Sequence, residues 1–125
     1  MLSNSAITPT IPVKDLERAK DFYSNTLGLE IIKDDPYGPV YECGGGTALM
    51  IYESAGAGTS EATYAGWQVE DLDAEMDDLR EKGVEFEEYD MPGLKTTAGV
   101  AESGGMRSAW FKDPDGNILA LAEMG

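Results

Sequence analysis

One pattern occurs twice in this chain, and it limits the possible folds more than any other feature. Val13-Lys14-Asp15-Leu16-Glu17 returns 56 positions later as Val69-Glu70-Asp71-Leu72-Asp73. Each copy follows a run suited to a strand, residues 7–13 and 63–69. Each then opens a helix, because Asp15 and Asp71 are N-cap residues whose carboxylates accept from free backbone N–H groups. Leu16, Ala19, Phe22, Tyr23 and Leu27 share one face of the first helix, and Leu72, Met76 and Leu79 share one face of the second. Gly28 and Gly83 end these helices, and near-identical strands are expected at 29–31 and 84–86. Further on, residues 46–52 align with 116–122 at an offset of 70. Each is a strand entered from a tight turn, Gly44-Gly45-Gly46 in one half and Asp113-Pro114-Asp115-Gly116 in the other. Strands at 40–43 and 108–112 complete two hairpins. Each half therefore reads βαβββ. The chain is expected to be one α+β domain, 1–125, of two modules, 1–57 and 58–125, with residues 54–60 as a flexible joint.

The match breaks at residues 89–106, which carry Pro and Gly and exceed their counterpart around 34–38. A segment of that length is usually functional or contains a short extra strand, and a flap over a site is expected here. The glycine triplet is a turn and not a phosphate cradle, since neither a helix nor a Lys-Ser/Thr pair follows it.

Strand residues alternate faces, so the phase of each strand is informative. Ile11, Val13, Leu49, Ile51, Trp67, Val69, Leu119 and Leu121 share the phase that packs under the helices. The opposite phase holds Thr8, Thr10, Ala48, Met50, Tyr52, Tyr64, Gln68, Ser108, Trp110, Ile118 and Ala120. That mixture of aromatic, thioether, amide and hydroxyl groups suits a ligand cup. It equally suits a surface covered by a partner chain or a second core layer.

Charge narrows the partners. Nine basic residues against twenty-four acidic ones give a formal net charge of −15. This opposes nucleic-acid phosphates and anionic membranes and attracts cationic small molecules. Eleven of the acids fall between Glu70 and Asp90, so a solubilising surface, with adaptation to salt as one form of it, is the alternative to ligand steering. Cys43 is the only cysteine, which excludes an internal disulfide and suits a reducing compartment. The N-terminus has no basic or apolar signal character, and no apolar run reaches the ~18 residues of a membrane span. A cytoplasmic protein is expected.

Two stretches carry a resemblance. Val13-x-Asp15-Leu16-x-x-Ala19-x-x-Phe22-Tyr23-x-x-x-Leu27-Gly28-Leu29 and Phe111-Lys112-Asp113-Pro114-Asp115-Gly116-Asn117-Ile118-Leu119 resemble the vicinal oxygen chelate superfamily of glyoxalases, extradiol dioxygenases, and fosfomycin- and bleomycin-resistance proteins. The resemblance implies eight strands in a curved mixed sheet around a cup, helices on the outer face, and commonly a homodimer. The cup would form within one chain or by exchange of halves between two.

In metal-using members, ligands lie seven residues before each capping Asp and four residues after each turn glycine. The resemblance puts Thr8, Tyr64, Met50 and Ala120 at those places. A hydroxyl, a phenol, a thioether and a methyl group do not make the N/O shell that Zn²⁺, Ni²⁺ or Fe²⁺ requires. The chain has no histidine to supply imidazole, and only Glu42, Glu102 or Glu123 offers a substitute. No metal and no cofactor are expected. Fosfomycin-resistance members line their substrate site three and five residues before the Asp that matches Asp113, which implies Trp110 and Ser108 here.

Cys43 has no histidine to activate it, and no Ser/His/Asp constellation exists. Glu42 and Glu102 are the acid–base candidates, and Lys95, Arg107 and Lys112 the cations near the flap and second hairpin. The expected function is a glyoxalase/bleomycin-resistance-like, metal-independent module that sequesters a hydrophobic or cationic aromatic small molecule at Thr8, Thr10, Met50, Tyr52, Tyr64, Gln68, Ser108 and Trp110. The alternatives are a metal-independent lyase or isomerase that uses a carboxylate or Tyr64 for proton transfer, and a dimerisation domain without ligand.

Overall fold

The structure, a computed structural model, describes residues 2–124. In chain order the elements are β1 (Thr10–Val13), α1 (Leu16–Asp21), β2 (Glu30–Asp35), β3 (Gly38–Glu42), β4 (Ala48–Glu53), β5 (Thr63–Gln68), α2 (Leu72–Glu81), β6 (Asp90–Met91), β7 (Leu94–Lys95), β8 (Ala101–Ser103), β9 (Met106–Lys112) and β10 (Ile118–Met124). The α+β class and the twofold repeat are as the sequence predicts. One sheet runs β1-β4-β3-β2 and the other β5-β10-β9-β8. In each, the first strand of the half pairs in parallel with its last, and the remaining pairs are antiparallel. The eight strands form two separate sheets of four, which do not close on one another.

Both helices start where the capping rule puts them. The Asp15 carboxylate accepts from the Arg18 N–H at 3.2 Å, and that of Asp71 from the Ala74 N–H at 3.1 Å. The first helix does not continue as an α-helix to Gly28. It widens after Asp21 into a π turn, Phe22–Thr26, closed by the Leu27 N–H on the Phe22 carbonyl at 2.9 Å. Phe22 and Tyr23 thereby face opposite-half and same-half partners, Phe111 and Tyr41.

A single buried core joins the halves. Ile11, Val13, Ala19, Tyr23, Leu49 and Ile51 of the first meet Leu72, Met76, Ala109, Phe111, Leu119 and Leu121 of the second. The halves are thus packed through the helix-bearing faces of their sheets.

Three local expectations are corrected. Residues 7–9 precede β1 and are exposed, so the first strand is shorter than its apolar run suggests. Residues 84–86 do not form a strand equivalent to β2. Phe86 makes one isolated bridge to Phe111 and Glu87 N–H bonds the Trp110 carbonyl at 2.8 Å, after which β8 takes over the same edge of β9. The fourth strand of this sheet is therefore made in two pieces, because residues 88–100 leave it as an excursion that contains the β6–β7 hairpin. This excursion is tied down: the Glu88 carboxylate accepts from the Gly99 N–H and the Thr96 hydroxyl, which holds its pKa below the usual carboxylate range.

The joint between halves is not flexible. Ala57 is buried, and the Gly58 N–H donates to Asn117 Oδ1 at 3.0 Å. Gly58 has φ +71°, and a Cβ there would sit 1.9 Å from the Asp115 carbonyl oxygen. Gly58→Ala is expected to destabilise the fold by about 2–3 kcal/mol, from a clash with backbone added to left-handed strain. Urea denaturation checks this, and a midpoint equal to the parent's would contradict the pinned joint.

Candidate functional site

The pairing registers define what each open sheet face carries. On the first sheet Thr10, Met50, Val40 and Lys33 form one row, and Pro12 stands beside Tyr52. On the second, Gly66, Ala120 and Trp110 form one row, and Gln68, Ala122, Ser108 and Ala101 the next. Both faces point away from the shared core. Thr8, Thr10 and Gln68 are exposed, Met50, Tyr52 and Trp110 half-buried, and Ser108 buried. None of the principal cavities among the described residues combines open-face side chains of the two sheets.

Tyr64 departs from the simple alternation. The register between β5 and β10 shifts there: Ile118 pairs with Thr63, and Leu119 with Ala65. Tyr64 is the extra residue of this bulge and packs against the core. A bulge inverts the phase on one side of it, so Thr63 takes the open-face place that alternation assigns to Tyr64.

The open face of the second sheet holds a groove of about 580 Å³, a volume within the range of small-molecule sites. Trp110 of β9 and Ile118 of β10 make its floor, Thr63 one side, and Tyr89, Met91 and Leu94 of the hairpin excursion the other. The Trp110 and Tyr89 rings meet edge to face, 5.6 Å apart at 83°, a favourable aromatic geometry that fixes both. Burial, aided by the Glu87 charge and opposed by Lys112, raises the Tyr89 phenol above its usual pKa, so it stays neutral. Glu61, Glu87 and Lys112 form the polar rim, Lys112 lying 3.5 Å from Glu87. An aromatic corner with two carboxylates against one ammonium suits a flat ligand that is neutral or positive.

Of the residues singled out from sequence, Trp110, Ile118 and the cation Lys112 line this groove. Tyr89, Met91 and Leu94 were not singled out. Their signal was the Pro92-Gly93 turn with apolar residues on each side, a hairpin signature. Gly93 has φ +82°, as that turn requires.

The four positions that metal-using members would employ do not fit a catalytic ion. Thr8 lies exposed ahead of β1, Tyr64 turns to the core, and Met50 and Ala120 offer a thioether and a methyl group. Among the described residues no three His, Cys, Asp or Glu side chains gather as a metal site. Glu102 and Glu123 are engaged by Arg107 at 3.5 and 3.4 Å, and Glu123 also accepts the Leu72 N–H at the start of α2. Glu42 is exposed at the end of β3. Burial pushes the Cys43 thiol up, which disfavours the thiolate.

The second sequence motif has a structural task. Asp113, buried, accepts at Oδ1 from the N–H groups of Asp115 and Asn117, both 2.9 Å. At Oδ2 it accepts from the Tyr23 hydroxyl and Asn117 Nδ2, both 2.8 Å. Asp115 accepts from the Lys14 N–H and Arg18, and Asn117 also donates to the Pro12 carbonyl at 2.7 Å. Turn 113–117 thus latches the second half to β1 and α1. Burial, then the Asp113 charge, drives the Tyr23 phenol far above its usual pKa.

Two four-stranded sheets, each with a parallel outer pair and one helix, packed through a common core, define a paired-βαβββ protein of the glyoxalase-like fold. The chain belongs to the Glyoxalase/Bleomycin resistance protein/Dioxygenase superfamily, whose family model matches residues 6–121. The protein YetH of Bacillus subtilis is 30% identical over 129 residues, covering 93% of this chain and 95% of YetH. Among solved structures, TnmS3, an antibiotic-binding protein from Streptomyces sp. CB03234, is 27% identical with a TM-score of 0.72, covering 98% of each chain. A glyoxalase/bleomycin resistance protein from the same organism is 30% identical with a TM-score of 0.64, covering 90% of this chain and 94% of that one. Among the described residues no helix is long and apolar enough to cross a membrane.

Proposed function

We propose that this protein binds and sequesters a hydrophobic or cationic aromatic small molecule, without a metal, against Trp110 on the open face of the second sheet. The observation that carries this reading is the Trp110–Tyr89 aromatic corner walled by the β6–β7 hairpin. The net charge of −15 supports a preference for cations. The likeness to TnmS3, an antibiotic-binding protein, supports sequestration over turnover. The misfit of the four metal positions supports metal independence. A homodimer completes the site: the open face of the first sheet, with Thr10, Met50 and Tyr52, would cover the groove of the other copy, and Ser108 stands in the next row of the same sheet as Trp110. Proton transfer by Tyr64 is not favoured, because the bulge turns that residue to the core.

A thermal-shift screen of planar aromatic cations is expected to yield a stabilising ligand. Trp110→Ala should then weaken its Kd by about 10–30-fold, the loss typical of an aromatic anchor, with the fold intact by circular dichroism. Unchanged affinity in that variant would exclude this groove. Added Ni²⁺, Zn²⁺ or Mn²⁺ should leave the Kd unaltered, and a stoichiometric, tightly held metal in the purified protein would overturn the metal-free reading.

A further inference from the structure

A second cavity lies in the seam between the halves, and it shares no residue with the groove at Trp110. It measures about 180 Å³. Leu27 and Leu29, just past the π turn, line it from the first half; Trp67, Leu79 and Phe111 line it from the second. Phe111 is fully buried and Leu79 nearly so, while Trp67 is half-buried. The only polar side chains of the lining, Gln68 and Glu75, are both exposed and stand at its rim. Its interior wall is therefore hydrocarbon and indole, with one carboxylate at the mouth.

Water held against an apolar wall finds few hydrogen-bond partners, so an apolar ring that covers that wall gains by displacing it. This pocket opens to solvent at a rim that carries Glu75, with its apolar wall recessed behind it. We infer that the seam is a binding site for a single-ring aromatic molecule, with arylalkylamines preferred over arylcarboxylates because Glu75 faces the substituent. The ring would stack on Trp67 between Leu79 and the leucines of the first half. Occupancy touches both halves at once, so it stabilises their mutual packing independently of any ligand at Trp110.

The test uses the full chain with toluene, benzylamine and benzoate as probes. Toluene and benzylamine at a large excess over Kd should raise the thermal midpoint by about 3–10 °C, and benzoate by clearly less. In a Trp110→Phe background Trp67 is the only indole, and its fluorescence should change with the same saturation curve. Leu29→Trp fills the cavity from a half-buried position and should abolish both responses, whereas Glu75→Gln should keep toluene binding and remove the preference for benzylamine over benzoate. Xenon-pressurised crystals give a readout independent of any variant's folding: density between Leu27, Trp67 and Leu79 is expected. Absence of that density, no shift with toluene, or a shift that survives in Leu29→Trp overturns the inference. A shift lost on Trp110→Ala would assign the probes to the groove instead, and would equally overturn it.

Discussion

Asp113→Ala should cost about 4–6 kcal/mol, a large share of the about 5–15 kcal/mol by which domains of this size are stable. The side chain is almost fully buried and accepts four hydrogen bonds. Alanine would leave the Tyr23 hydroxyl, one of the two Asn117 amide N–H groups and two backbone N–H groups without an acceptor, the other amide N–H keeping the Pro12 carbonyl. Each stranded donor costs roughly 1–3 kcal/mol, less whatever water can recover. Asp113→Asn keeps an acceptor oxygen and should lose less than half as much. Tyr23→Phe removes one donor along with its need, and should be milder still. Urea titrations followed by far-ultraviolet dichroism and tryptophan fluorescence separate the three. An alanine variant within 0.5 kcal/mol (about one-third of a tenfold change in equilibrium) of the parent would mean that the latch does not hold the halves.

The second large effect is expected at Phe111. Its ring is fully buried and lies between Phe86, 5.8 Å away at 71°, and Phe22 of the other half, 6.5 Å away at 44°. Phe111→Ala deletes contacts on both sides and opens space that the rigid strands of β9 and β10 cannot collapse into. About 3–5 kcal/mol is the usual cost of such a truncation. The urea midpoint should fall while the slope stays constant, since the surface exposed on unfolding hardly changes. A loss below 1 kcal/mol would indicate that Phe111 is not central to the packing between halves. Because Asp113 is two residues away on the same strand end, the double variant should not be additive.

Much of the scaffold was legible because its signals are local. Asp15 and Asp71 cap their helices by direct side-chain bonds, and alternation along 48–53 and 118–124 gives strands with the expected inner phase. Departures arose where a distant partner decides. The bulge at Tyr64 depends on how β10 meets β5, and no property of Thr63-Tyr64-Ala65 announces it. Gly58 reads as linker in a run of small residues, yet Asn117, 59 positions later, fixes it. Residues 84–86 have strand-like composition, but the edge of β9 is shared between them and β8. For the candidate site, Trp110 was accessible from strand phase and resemblance. Tyr89, Met91 and Leu94 reach the same groove only because a short hairpin folds back over the sheet.

The two stretches that carry the resemblance in the sequence, around Asp15 and from Phe111 to Asn117, hold the clasp between the halves. Few of their side chains reach the groove. If the groove binds as proposed, two proteins can share every one of these residues and still receive unrelated compounds, and changes at positions such as 63, 89, 91 and 110 are expected to redirect what is held. Likeness in the clasp is a statement about architecture; under the proposed function, selectivity would be read from the hairpin and the sheet surface beneath it.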